Sequence, residues 1–98
     1  MSDMFLMVIL YAKEGHENKL RRDLIEVVEP SRRDEGNLRY ELFVHRDDPR
    51  RFVFVEHWAH PDMQKKHHTE SAHIRAFNEH GAQSVEKIEV FYQLDRIA

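Results

Sequence analysis

Nine residues near the start of the chain, Met4 to Ala12 (MFLMVILYA), constrain the fold more than any other stretch. Counted by twos, they put Phe5, Met7, Ile9 and Tyr11 on one face of a strand and Leu6, Val8 and Leu10 on the other. Both faces are apolar, and a strand of that kind is normally covered on both sides. The run falls well short of the ~20 apolar residues of a membrane helix. It also lacks the basic flank and cleavage site of a signal peptide, so a cytoplasmic chain with no membrane partner is expected.

The rest of the chain supplies the layers. Glu17 to about Arg33 reads as a helix, because Leu20, Leu24, Val27, Val28 and Ser31 recur along one stripe while Arg21, Arg22, Asp23, Glu26 and Glu29 face water. Pro30 either kinks its last turn or ends it near Glu29, and Gly36-Asn37 makes the stop. Leu38 to His45 is a second strand, with Leu38, Tyr40, Leu42 and Val44 on one side. Asp47-Asp48-Pro49 is turn chemistry, so a third strand from Arg51 or Phe52 to Trp58 closes a hairpin. Pro61 opens a short helix that ends near Thr69-Glu70, and Ser71 is a good N-cap for another that stops before Gly81. Val85 to Leu94 is the last strand, with Ile88, Val90, Tyr92 and Leu94 sharing a face opposite Phe91. The order βαββαβ in 98 residues predicts a single domain spanning 1–98 of the α+β class. Its architecture is ferredoxin-like: a four-stranded antiparallel sheet with the helices on one face. Nothing remains to cover the other, largely apolar face, so sheet-to-sheet packing with a second copy, a homodimer, is expected.

Composition narrows the function classes. The formal charge is −3, with Lys and Arg interleaved among Asp and Glu. That pattern does not make the clustered basic face of a nucleic-acid binder. There is no cysteine for a disulfide, thiolate nucleophile or thiolate metal site. Three scattered glycines exclude a phosphate-binding loop, and no serine sits in a GxSxG setting.

Chemistry concentrates between Phe52 and Phe77. Phe52, Phe54, Glu56 and Trp58 share one strand face, and an inward carboxylate there needs a partner or a raised pKa. Trp58 serves equally as core filling. His68 and His73 lie across the break between the short helices. His67 and His68 are adjacent and cannot both face inward, so a catalytic role passes to whichever one does. The histidines show neither HExxH nor 2-His-1-carboxylate spacing on one regular element, so no metal and no other cofactor is expected. Tyr11, Tyr40 and Tyr92 lie on three strands, where a phenol can bind a substrate oxygen or sit at a rim.

Taken together, Pro30, Gly36-x-Leu38-x-Tyr40, Asp48-Pro49, Glu56-x-Trp58 and His68-x4-His73 resemble the antibiotic biosynthesis monooxygenase (ABM) domain family and its quinol monooxygenases. The resemblance runs in the right order over nearly the whole chain. Two departures are a stretch between Trp58 and His68 one residue longer than usual, and Ser71-Ala72 where a small residue and a proline are common. The resemblance implies a dimeric α+β barrel with a pocket between sheet and helices. It also implies oxygenation of a quinol or polyketide-like aromatic by O₂ without flavin, haem or metal. A hydroquinone anion donates the electrons, so the protein needs a dry pocket and a base. His68 and Glu56 are the expected catalytic pair, with Trp58, His73, Tyr40 and Phe54 as substrate contacts. Two alternatives stand: an isomerase of a small phosphorylated or dicarbonyl metabolite, using Arg39, Arg51 or Arg75 for the phosphate, and a non-catalytic small-molecule-binding dimer.

Overall fold

The computed structural model describes residues 3–98. The elements run β1 (Met4–Ala12), α1 (Glu17–Arg32), β2 (Asn37–His45), β3 (Asp48–Trp58), α2 (Pro61–Glu70), α3 (Ala72–His80), one 3₁₀ turn (Ala82–Ser84) and β4 (Val85–Leu94). All strand pairs are antiparallel, in the order β2-β3-β1-β4. This is the ferredoxin-like α+β fold, and the doubly apolar β1 lies inside the sheet as its composition requires. Leu6, Val8, Leu10, Phe52, Phe54 and Trp58 meet Leu20, Leu24 and Val27 of α1 in one core. No helix of the described residues is long and apolar enough to cross a membrane.

Local chemistry explains most boundaries. α1 does not end near Glu29: it runs through Pro30 to Arg32, and the Ser31 hydroxyl donates to the Val27 carbonyl at 2.7 Å. The hairpin turn falls one residue earlier than Asp47-Asp48-Pro49 suggests, since His45 already pairs with Asp48. Pro49 therefore sits at the start of β3, before its pairing with β1 begins at Arg51, where a missing N–H removes no ladder bond to β1. α2 starts on Pro61, and the His60 imidazole accepts from the Asp62 N–H at 3.0 Å as the cap. At Gly36 φ is +82°, and a Cβ there would lie 2.6 Å from the Met63 Cβ. Glycine thus lets α2 close onto the turn after α1, which decides what that turn can touch.

Alternation fails in two strands. A register shift between Asn37 and Arg39 turns Leu38 out to 59 % exposure while Tyr40 goes in. In β4, Val90 pairs with Ile9 but Ile88 pairs with Leu10, leaving Glu89 as a bulge. Ile88 and Phe91, expected on opposite faces, consequently stand beside the inward-facing Leu10 and Val8. The bulge carries Phe91 to the helix side of the sheet.

Candidate active site

Between the helices and the inward sheet face lies a cavity of about 140 Å³. Leu6, Val8 and Leu10 of β1 form its floor, Ile74 and Phe77 of α3 its roof, and Ile88 and Phe91 of β4 one side. Tyr40, Phe54, Glu56, Gln64 and His67 supply the other side. The lining is almost wholly apolar, so the few polar groups in it sit in a poor solvent.

Glu56 is 4 % exposed, and one carboxylate oxygen accepts from Trp58 Nε1 at 2.9 Å. Burial pushes its pKa up to about 7, against the pull of that single hydrogen bond. Among the described residues no cation stands against it to reverse the effect. Tyr40 pairs with Glu56 across the strands, and burial together with the Glu56 charge raises its phenol above the ordinary range. Tyr40 is therefore a neutral hydrogen-bonding group.

Of the adjacent histidines, His67 faces in and His68 faces out. His67 is 5 % exposed, with its ring centroid 4.9 Å from that of Trp58 and 5.4 Å from that of Tyr40. Its Nδ1 lies 2.6 Å from Oδ2 of Asp34, so Nδ1 carries the hydrogen and Nε2 keeps its lone pair. Burial lowers its pKa and favours the neutral ring, against the opposing pull of Asp34. The His67 carbonyl accepts from the Ser71 hydroxyl at 2.6 Å, which ties off the end of α2 at this point. His68 is exposed and stands at the mouth of the cavity, 6.4 Å from the Phe91 ring.

Tyr40, Phe54 and Glu56 line the cavity as the strand pattern predicts. Trp58 is not the substrate contact expected of it: it is 0 % exposed and lies behind Glu56, holding that carboxyl and filling the core. His73 also lies outside the lining. It borders a groove between α1 and α3 with Asp23, Glu26 and Phe77, and its Nε2 lies 2.8 Å from the same Asp34 oxygen. Nor does Glu56 orient His68, because its described partner is Trp58.

Asp34 is the residue that sequence reasoning misses. It follows α1 in a turn held by bonds from its N–H to the Ser31 carbonyl and from the Asn37 N–H to its own carbonyl, both 3.1 Å. A lone aspartate in a charged stretch (Arg32-Arg33-Asp34-Glu35) carries no periodic signal. The one available hint is Gly36, whose close approach to Met63 draws this turn against α2.

The family model for antibiotic biosynthesis monooxygenase matches residues 4–80. Among solved structures, the chain is similar to PA3566 from Pseudomonas aeruginosa at 28 % identity and a TM-score of 0.91, covering 100 % of this chain and 97 % of that one. It is similar to SO0527 from Shewanella oneidensis at 27 % identity and a TM-score of 0.79, covering 95 % and 87 %. An antibiotic biosynthesis monooxygenase at 21 % identity shares the fold, with a TM-score of 0.88 over 97 % and 99 % of the two chains. No curated protein matches the sequence. With the match spanning β1 to α3 and the fold shared over essentially the full length, the chain belongs to the antibiotic biosynthesis monooxygenase family.

Proposed function

We propose that the protein oxygenates a single-ring quinol or related phenol with O₂, taking the electrons from the substrate itself. The observation that carries this reading is the joint presence, in one apolar cavity, of an Asp34-backed imidazole and a carboxyl with a pKa near 7. An apolar cavity of about 150 Å³ holds one benzene ring. At about 140 Å³ this one suits a monocyclic substrate better than a fused polyketide.

His67 Nε2 accepts the phenolic proton, and Asp34 stabilises the imidazolium that forms. The base role thus moves from His68 to its neighbour, and His68 becomes a contact at the mouth. The quinol anion passes an electron to O₂, and the resulting radical pair joins through a C–O bond to give a hydroperoxide. Loss of water leaves a hydroxyquinone. One oxygen atom stays in the product and the other leaves as water, so quinol and O₂ balance without an added reductant. Glu56, poised near neutrality, exchanges a proton with the second substrate oxygen, while Tyr40 and Phe54 contact the ring.

The isomerase reading needs a cation for a phosphate. Arg39 pairs with Glu41, Arg51 pairs with Glu89, and neither these nor Arg75 line the cavity. We further propose a homodimer formed through the open sheet face. Phe43 (49 %), Tyr92 (56 %) and Leu94 (42 %) are exposed there, and such an interface should bury more than ~1,200 Å². A monomer mass by light scattering at micromolar concentration contradicts this assembly. Oxygen uptake with a panel of quinols, on protein freed of flavin and metal, tests the reaction. Turnover that falls by about 100-fold or more in His67→Ala is the expected result. Absence of uptake across the panel, or turnover indifferent to His67, overturns it.

A further inference from the structure

We propose that Asp34, His67 and His73 form a binding site for one borderline divalent cation of the zinc, cobalt or nickel kind. The inference stands apart from the oxygenation reading and uses a different side of His67. His67 Nδ1, His73 Nε2 and an Asp34 carboxylate oxygen all lie within 4.8 Å of one another. Two imidazoles and one carboxylate are the donor set that such cations take, and the fourth position of a tetrahedral shell is left for water. Two of the three donor pairs already lie within hydrogen-bonding distance. Asp34 Oδ2 lies 2.6 Å from one ring nitrogen and 2.8 Å from the other. Neighbouring donors of a tetrahedral cation at metal–ligand distances of ~2.1 Å stand about 3.4 Å apart. Exchanging two shared hydrogens for one cation therefore opens each of these two contacts by roughly 0.6–0.8 Å.

The three donors come from three elements that are each fixed independently. Asp34 is held by the turn after α1, His67 by its place one turn from the end of α2, and His73 by the first turn of α3. The site is accessible from outside: a cleft of about 300 Å³ beside it is lined by Asp34, His67 and Ser71, with Glu35 and Glu70 at its rim. Arg33 and Lys66 share that cleft, and Lys66 lies 3.4 Å from Glu35. The local charge is thus mixed, and affinity must come from the imidazoles rather than from acidic attraction. No linear motif announces this set, because the carboxylate lies 33 residues before the first histidine.

Occupation has a definite consequence for His67. A cation on Nδ1 displaces the hydrogen now shared with Asp34, so the neutral ring must carry its hydrogen on Nε2. The nitrogen available as a base toward the cavity becomes a donor.

Zinc titration of the untagged protein by calorimetry, paired with nitrogen-15 histidine spectra of the wild type, tests the site. The expected result is one zinc per chain, with the His67 Nδ1 and His73 Nε2 resonances moving to metal-bound values and the other six histidines unmoved. Asp34→Asn and His73→Ala should each weaken zinc by about 100-fold or more, since even outer partners of a metal ligand matter by 10–100-fold. The spectra need no variant, so misfolding of a substituted chain leaves the test intact. No zinc binding, zinc that shifts other histidines, or affinity unchanged in both variants overturns the proposal.

Discussion

Glu56 and Glu89 stand on opposite faces of the same sheet, and their surroundings move their acidities in opposite directions. Glu89, on the open face, receives Arg51 Nε at 2.7 Å and a second guanidinium nitrogen at 3.2 Å, and these bonds hold its carboxyl below the usual range. Glu56, beneath the helices, has an indole N–H for company and no cation, and burial pushes it up to about 7. Both faces carry large apolar residues, so hydrophobicity alone does not separate them. What separates them is that Glu56 is buried without a cation, whereas Glu89 is half-exposed and paired with Arg51. The paired group belongs to the sheet's structure, while the unpaired one is the carboxyl that the proposed reaction uses.

The comparison breaks most sharply at Trp58, the largest side chain with no exposure. Trp58→Ala should lower stability by about 3–5 kcal/mol, read from denaturant unfolding. It should also leave Glu56 without its hydrogen bond. Unfolding that is little changed would mean that the indole holds neither the core nor the carboxyl. His67→Ala comes next, with turnover reduced by about 100-fold or more against a small effect of His68→Ala. The reverse ranking would return the base role to the exposed residue.

Glu56→Gln has a smaller and pH-dependent effect. Because the folded pKa lies above the unfolded one, the native state binds the proton more tightly. The stability associated with that proton is complete below about pH 4.5 and is lost as pH rises through about 7. The amide keeps an oxygen for the Trp58 N–H without acquiring charge. Glu56→Gln should therefore gain roughly 1–3 kcal/mol over the wild type at pH 8 and almost nothing at pH 4. Equal stability of the two proteins at pH 8 would count against a strained carboxylate. Arg51→Ala should do least. Glu89 has a depressed pKa, so its contribution is present above about 4.5 and disappears as pH falls further, a loss confined to the acid limb of the unfolding profile.

Much of the fold is legible in the sequence because strong periodic signals and breakers agree. Met4–Ala12 and Val85–Leu94 are read to the residue, and α1 starts at Glu17 as expected, with its end left open at Pro30. Alternation fails at Leu38 and at Glu89, where a shifted register spends one residue without a partner. Nothing in the side chains of a short strand marks such a bulge in advance. The cavity is half legible. Glu56, Tyr40 and Phe54 follow from strand parity, and the adjacency of His67 and His68 poses the right question. Which of the two faces in depends on how α2 docks, and the close approach of Met63 to Gly36 is part of that docking. Asp34 lies in a turn whose partners are brought to it only by the packing of three helices.

Site-resolved carbon-13 titration of the glutamate side-chain carboxyls tests the contrast most directly, since Glu56 and Glu89 are read in the same spectra. Glu56 should titrate with a midpoint near 7 and Glu89 below its ordinary value of 4.5. A Glu56 midpoint near 4.5 would show that the cavity is wet or that a cation reaches the carboxyl. The distinction between the two faces would then fail.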